Sequence, residues 1–290
     1  MRKHAHTILY AASDLNGFLG CRHSTFLDLK DLVEPLPRAE DDAQAKLVQD
    51  RGYEHEAEYL DSLKKSGFSV VEVPEDGNLS DRVGMTAEVM KSGPDIVYQA
   101  TLKNGVWHGF ADFLKRVDRP SNLGSFSYEA VDTKLTKHPK PKHVIQLCLY
   151  SELLQHVQGI RPRGMSLVLG DQSDLHLRFD DFAFYHTIVR RRFEEYVFAP
   201  PADSKPEPCG FCELCKWRDL CTDQWERNDH LSRVANIRRS QILKLEAAGF
   251  ATLTALARMD DAITVPTLAQ ETLDRLRAQA RLQVAKLETG

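Results

Sequence analysis

From Asp95 to Leu135 the chain reads as three strand-like runs joined by short turns, and no other stretch constrains the fold as strongly. DIVYQATL (95–102) leads into Asn104-Gly105, a strong hairpin signal. VWHGFADFLKRV (106–117) pairs back, PSNLG is a loop, and SFSYEAVDTKL (125–135) predicts the third strand. Asp112 sits on the second run and Asp132-Thr133-Lys134 near the end of the third. Residues two apart on a strand share a face, so Asp132 and Lys134 point the same way. Two carboxylates on adjacent strands with an ammonium beside them are the minimum set for metal-dependent phosphodiester cleavage. A hard cation needs carboxylate oxygens, the attacking water needs its pKa lowered, and the developing phosphorane charge needs a cation nearby.

The flanking segments supply helices. TILYAASDLNGFLGCRHSTFLDLKDLV (7–33) predicts a helix capped near Ser13 and Asp14, and residues 40–66 predict a second one carrying His55. GFSVVEV (67–73) is a strand candidate, and a helix is expected over about 81–92. A helix follows from about Lys142 to Gln158, ended near Gly159; MSLVLGD (165–171) and DLHLRFD (174–180) predict a hairpin, and 182–199 another helix. The expected architecture is α/β: a restriction-endonuclease-like mixed sheet flanked by helices, plus a small all-α C-terminal segment. Residues 1–228 would form the first domain. Residues 229–290 would form the second, nearly all helical from 231, broken at Gly249-Phe250, with a new helix at Thr252 and a long last one from Thr267. Its helix-Gly-hydrophobic-helix shape resembles a helix-hairpin-helix unit.

Six cysteines are present, and four of them crowd into CGFCELCKWRDLC (209–221). Such crowding in a cytosolic chain of this size reads as metal binding rather than disulfides, and both zinc and iron–sulfur clusters accept four thiolates. Two ligand sets are open: Cys209, Cys212, Cys215 and Cys221 together, or Cys212, Cys215 and Cys221 with the distant Cys21. Cys148, in HVIQLCLYSELL, reads as a buried core thiol. The net charge of −4 announces no nucleic-acid partner in bulk, so any such site must be a local basic patch. Lys137, Lys140 and Lys142, directly after the Asp-x-Lys, form one; Arg190, Arg191 and Arg192 read as a solvated surface run. No run approaches the ~20 apolar residues of a membrane span. The start shows no signal-peptide pattern, so a cytoplasmic protein is expected.

These residues resemble the RecB-like nucleases of the PD-(D/E)XK superfamily, and most closely the iron–sulfur branch that includes the CRISPR-associated exonuclease and the AddB nuclease domain. The resemblance runs from about Ser13 to Trp225. His55 in GYEHEAEYL matches the upstream helical histidine, Asp112 in GFADFLKR the first acid, and Asp132-Thr133-Lys134 the D/E-x-K. Gln146 and Tyr150 in QLCLY match the Q-x3-Y helix. Cys21, followed much later by C-x2-C-x5-C, matches the cluster pattern of one early and three late cysteines, with Cys209 an extra thiol and alternative ligand. Pro94-Asp95 has the letters of the motif but lies further from the Asp-x-Lys than Asp112 does. The helical tail is similar to the segment that, in long RecB-like proteins, leads into helicase or further nuclease domains.

The resemblance implies a DNA nuclease, an exonuclease first, acting with Mg²⁺ or Mn²⁺ held by His55, Asp112, Asp132 and the Thr133 carbonyl. Lys134 would orient the attacking water, while Gln146 and Tyr150, one helical turn apart, would face the same site. Glu54 and Glu56 flank His55, and Glu129 is expected on the other face of its strand. A structural [4Fe-4S] cluster would be the second cofactor, with Zn²⁺ as the alternative. The competing readings are a non-catalytic nucleic-acid-binding module of a larger DNA-processing machine and a zinc-stapled interaction domain.

Overall fold

The computed structural model describes residues 1–4, 7–40 and 43–289. By compactness the chain divides into two units, residues 1–35 with 41–201, and residues 36–40 with 202–290.

The first unit is an α/β fold. It opens with an antiparallel ribbon, β1 (Arg2–His4) and β2 (Thr7–Leu9), followed by α1 (Ala12–Gly20), α2 (Arg22–Asp31) and α3 (Ala43–Lys65). The single helix expected over 7–33 is therefore a strand and two helices. Cys21 separates the helices, its backbone extended at φ −159°. The cap is also displaced: α1 starts after Ala11, and Asp14 reaches back to accept the Ala11 N–H at 2.8 Å. An acid at the third helical position satisfies an otherwise orphaned donor, which is why Asp14 lies inside the helix.

Then come β3 (Val70–Glu72), α4 (Leu79–Ser92), β4 (Ile96–Asn104), β5 (Trp107–Val117), β6 (Ser127–Lys134), α5 (Pro141–Gln158), β7 (Gly164–Leu169), β8 (Asp174–Arg178) and α6 (Asp180–Phe198). Asn78 caps α4, accepting from Ser80 N and Asp81 N. Strands β3 to β8 form one mixed sheet in chain order. The β4–β5–β6 meander is antiparallel, β3 runs parallel to β4, and β6 runs parallel to β7. A parallel neighbour needs a long crossover, and α5 provides it between β6 and β7.

Helices cover both faces of this sheet. On one face Leu114, Tyr128, Ala130 and Leu167 pack with Leu147, Leu154 and Phe193 of α5 and α6. On the other, Phe113, Val131 and Val168 pack with Leu60 and Leu63 of α3. Consecutive residues such as Phe113 and Leu114 thus belong to different cores, as the pleat requires. Cys148 is fully buried in the first core, and burial followed by the nearby Glu152 pushes its thiol up to about 12. None of the described helices is long and apolar enough to cross a membrane.

The second unit has α7 (Arg218–Arg227), α8 (Arg239–Ala247), α9 (Leu253–Ala257) and α10 (Gln270–Thr289). Its core gathers Leu231, Val234, Leu245, Leu253, Leu256, Leu273, Leu276 and Ala280. Gly249 takes φ +89° after α8, a backbone state that suits glycine, and Thr252 caps α9 by accepting from Ala255 N. The tail is less helical than expected. Residues 234–238 and 258–269 run between helices, and α10 begins three residues later than Thr267, which itself sits at φ +64°.

The packed core of this unit starts at Leu231, close to the expected boundary at 228/229, but the compact unit starts at 202. The cysteine segment belongs to it through backbone contacts with residues 36–40. Ala39 N donates to Lys216 O at 2.8 Å, and Arg218 Nη2 donates to Glu40 O at 2.6 Å.

Candidate active site

The meander positions the two acids. Its register pairs Phe113 with Val131, so one step further Asp112 and Asp132 stand across from each other. Their carboxyl groups interact electrostatically, and Asp112 Oδ2 accepts from Thr133 N at 3.4 Å. Asp132 is fully buried. Lys134, two residues on, brings Nζ to 2.6 Å from Asp132 Oδ2, as period-2 alternation requires. This ion pair places the ammonium on Oδ2, the oxygen that Gln146 does not use.

Helix α5 supplies the next layer. Gln146 Nε2 donates to Asp132 Oδ1 at 3.2 Å and to the Tyr150 hydroxyl at 3.0 Å, using the shared face of residues i and i+4. The helix can come this close because residue 109 is glycine. A Cβ there would lie 2.5 Å from the Tyr150 ring. Gly109 thus admits the ring, and Tyr150 in turn props Gln146 against Asp132.

The ladder between β4 and β5 skips one pair at this point, Gln99 and Asp112. Gln99 has φ +57° in mid-strand, and the apolar alternation shifts there: Val97 faces the first core, and so do Ala100 and Leu102. A non-glycine residue in this conformation stores about 1–3 kcal/mol of strain, and such residues gather at functional sites. Here Gln99 uses its side chain to donate to Glu56 Oε1 at 2.6 Å. Glu56 also accepts from the Tyr98 hydroxyl and lies within the field of Asp112 and Lys134. The sequence marked Glu56 only as a neighbour of His55, and nothing in it marked Gln99.

The charges are strongly interdependent. Burial first, and then the adjacent Asp132, raise the Asp112 carboxyl well above the usual carboxylate range, with Lys134 opposing. Burial draws Lys134 down, but Asp132 and Asp112 outweigh it and its ammonium is held above its ordinary value. Burial, then Asp112, raises Glu56 as well. Burial followed by Asp132 and Asp112 keeps the Tyr150 phenol protonated. The site therefore combines one carboxyl group that resists ionisation, a neighbouring acid, one ammonium and one protonated phenol.

His55 stands apart from this hydrogen-bonded group. It is buried on α3, and its Nδ1 lies 3.2 Å from Gln172 Nε2, in the turn between β7 and β8. Its Nε2 is buried without a hydrogen-bond partner among the described residues. No group of three or more His, Cys, Asp or Glu among the described residues is arranged to hold a metal ion. The expected gathering of His55, Asp112, Asp132 and the Thr133 carbonyl around one cation is thus not present as such: Lys134 takes the open side of Asp132, and Gln172 takes His55. The donor set still suits a divalent cation such as Mn²⁺, which accepts both oxygen and imidazole nitrogen, in two respects. Asp132 Oδ2 and His55 Nε2 are both buried and lack hydrogen-bond partners. Ligation by Nε2 requires the Gln172 amide reversed, so that its oxygen accepts from Nδ1–H and leaves Nε2 a lone pair.

Lys137 and Lys140 are exposed on the connection from β6 into α5, and Lys142 is exposed in the first turn of that helix. His143, at the start of that helix, is buried and accepts from Lys140 N through Nδ1 at 3.3 Å. Burial, then Lys134, Lys142 and Lys140, push its pKa from 6.5 down to about 4. The folded state therefore binds fewer protons than the unfolded chain between these values. Stability is fully present above about 6.5 and is lost as pH falls toward about 4. Wild type is expected to lose about 1–2 kcal/mol more over this window than His143→Asn, which keeps an acceptor without a titrating ring. Urea unfolding of both proteins at several pH values measures the difference. Parallel pH profiles would remove His143 as the cause.

Asp95, of the Pro94-Asp95 pair, accepts from Ser69 N and Oγ at 2.8 and 2.6 Å and fastens the start of β4. Glu129 Oε1 accepts from Gly164 N at 2.7 Å and ties β6 to β7.

In the second unit Cys209 and Cys212 bring their sulfurs to 3.8 Å. Cys209 N donates to Cys212 Sγ at 3.3 Å, and Trp217 N donates to Cys215 Sγ at 3.4 Å. Backbone N–H groups aimed at sulfur also surround metal-bound thiolates, but among the described residues these cysteines form no group of three or more arranged to hold a metal ion. Cys21 lies in the first unit, half-exposed, where α1 gives way to α2. No protein-family model and no curated protein matches the chain.

Proposed function

We propose that the chain is a divalent-cation-dependent DNA nuclease of the RecB-like PD-(D/E)XK type. The observation that carries this reading is the carboxyl pair of Asp112 and Asp132 with the Lys134 ammonium 2.6 Å from Asp132. Setting two acids side by side, one of them fully buried, raises the energy of their charged forms, and a fold keeps such an arrangement where a cation or proton is to be held. Asp112, Asp132 and the Thr133 carbonyl would hold Mg²⁺ or Mn²⁺, with His55 Nε2 as the nitrogen ligand. The cation would supply Lewis acidity toward the phosphoryl oxygen and a lowered pKa for the attacking water.

The remaining roles belong to the chain itself. Lys134 holds positive charge beside the acids, where the phosphorane develops its negative charge. Gln146 fixes the rotation of Asp132 through Oδ1, and Tyr150 fixes Gln146. The exposed Lys137, Lys140 and Lys142 offer charge for a nucleic-acid backbone next to the site.

A [4Fe-4S] cluster held by Cys212, Cys215 and Cys221 belongs to the same proposal. On the sequence pattern its fourth thiolate is Cys21, with Cys209 the local alternative and Zn²⁺ the alternative metal.

Two measurements test the reading. Purified protein with Mn²⁺ is expected to cut end-labelled linear DNA, single-stranded or duplex; failure on both, with Mg²⁺ as well, would leave a binding module. Anaerobically purified protein is expected to be brown and to contain iron and sulfide. A colourless preparation holding stoichiometric zinc would transfer the cysteines to a zinc staple.

A further inference from the structure

A second cluster of charge surrounds Phe110, two residues before Asp112 on β5. The Arg82 guanidinium lies 4.9 Å from the Phe110 ring centroid and that of Arg2 lies 5.5 Å away. The His108 ring meets the same phenyl ring at 5.4 Å. Thr101 pairs with Phe110 across the β4–β5 ladder, and Lys103 pairs with His108. Three separate elements, β1, α4 and the hairpin, thus converge here.

What sets this cluster apart is its lack of partners. Arg2 Nε and Nη2, Arg82 Nε, His108 Nδ1 and Thr101 Oγ1 are all buried with no hydrogen-bond partner among the described residues. His108 is 5% exposed and Thr101 1%, whereas both arginines keep part of their surface to solvent. The neighbouring acid Asp14 is already committed to the Met1 amine at 2.5 Å and to Ala11 N at 2.8 Å. Burial first, and then the positive charges of Arg2, the Met1 amine and Lys103, push the His108 pKa down to about 4. Buried donors without acceptors are costly, and two guanidinium groups over one ring repel each other. A dianionic or monoanionic oxyanion relieves both penalties. Arg2 Nε and Nη2, both without a partner among the described residues, form the two-donor edge that binds such a group in bidentate fashion.

We propose that Arg2, Arg82, His108 and Thr101 frame a site for a phosphate-type oxyanion beside the Phe110 ring. The stacking on Phe110 holds the guanidinium groups in place before the anion arrives. The oxyanion has two possible sources, a nucleic-acid backbone and free phosphate. The first source rests on the nuclease reading: Phe110 is two strand residues, roughly 7 Å, from Asp112. The site itself does not depend on it.

The test uses the full chain in EDTA, so that binding is read without cleavage. A fluorescein-labelled single-stranded oligodeoxynucleotide is titrated by anisotropy at several salt concentrations. Inorganic phosphate is titrated separately while the His108 ring resonances are followed. Arg82→Gln is expected to weaken oligonucleotide binding about tenfold and to lower the salt slope by about one, with Arg82→Lys recovering most of the affinity. Arg2→Gln, on a different element, is expected to act the same way and covers the case in which Arg82→Gln melts early. Phosphate is expected to move the His108 resonances in wild type and not in Arg82→Gln. Phosphate binding that depends on Arg82, with oligonucleotide affinity unchanged, would keep the site and assign it to free phosphate. Loss of neither response in either variant would overturn the proposal. Mn²⁺-dependent cleavage by the wild type is scored apart, so failure of the nuclease reading is seen independently.

Discussion

Replacing Asp132 by Asn is expected to reduce Mn²⁺-dependent DNA cleavage by about 10³-fold or more while the protein remains folded. The substitution is nearly isosteric at a fully buried position, so packing is conserved. What changes is charge. Asp132 Oδ2 is the oxygen that faces the Lys134 ammonium, while Oδ1 accepts from Gln146, so Oδ2 is the oxygen a cation would engage. An amide in its place is a weak ligand and leaves the ammonium facing a dipole. About 10³-fold corresponds to roughly 4 kcal/mol of transition-state stabilisation, the scale of one well-placed electrostatic group in a dry site. The same change removes the charge that helps raise Asp112, so the Asp112 carboxyl is expected to ionise at lower pH in the variant. Single-turnover assays on labelled linear DNA, with circular dichroism as the fold control, measure the effect. A variant that cuts as fast as wild type would show that the acid pair is not the reacting centre.

The largest expected loss of stability comes from Phe193→Ala. Phe193 is fully buried on α6, and its ring meets Tyr10 at 5.1 Å, Trp107 at 5.4 Å and Phe18 at 5.6 Å. Those three rings belong to the segment after β2, to the start of β5 and to α1. One side chain thus joins the N-terminal elements, the sheet and the last helix of the first unit. Truncation removes the transfer free energy of the ring and leaves a cavity that three large aromatic neighbours cannot readily fill. The expected cost is about 3–5 kcal/mol, or roughly 6–20 °C in midpoint for a unit of this size. Trp107 Nε1 donates to Glu194 at 2.7 Å, so the neighbouring turn of α6 remains anchored and the helix itself is expected to persist. Thermal and urea unfolding followed by circular dichroism give the number. A loss under about 1 kcal/mol would mean that the cavity closes by repacking.

Parts of the fold and of the candidate site were legible without coordinates, because they rest on spacing along the chain. Asn104-Gly105 between alternating runs predicted the β4–β5 hairpin, and the observed strands span Ile96–Asn104 and Trp107–Val117. Period 2 put Lys134 on the side of Asp132, and the i, i+4 rule put Gln146 beside Tyr150. Where the reading failed, the deciding interaction was remote. The break at Cys21 interrupts a stretch that is helical on either side, and Asp14 caps the backbone from inside the helix rather than ahead of it. His55 turns to Gln172, a residue 117 positions away, and no local pattern predicts that pairing.

The sequence by itself determined the order and type of most elements, the facing of the acid and lysine on one strand, and the crowding of four cysteines. These follow from hydrophobic period, turn chemistry and residue spacing, which act over a few residues. Only the tertiary structure decided that residues 36–40 belong with 202–290, that Gln99 twists to hold Glu56 at the acids, and that Arg2 and Arg82 meet over Phe110. Each of these depends on the packing of segments from about 30 to more than 170 positions apart, and packing is settled by shape and burial rather than by any pattern a single segment carries.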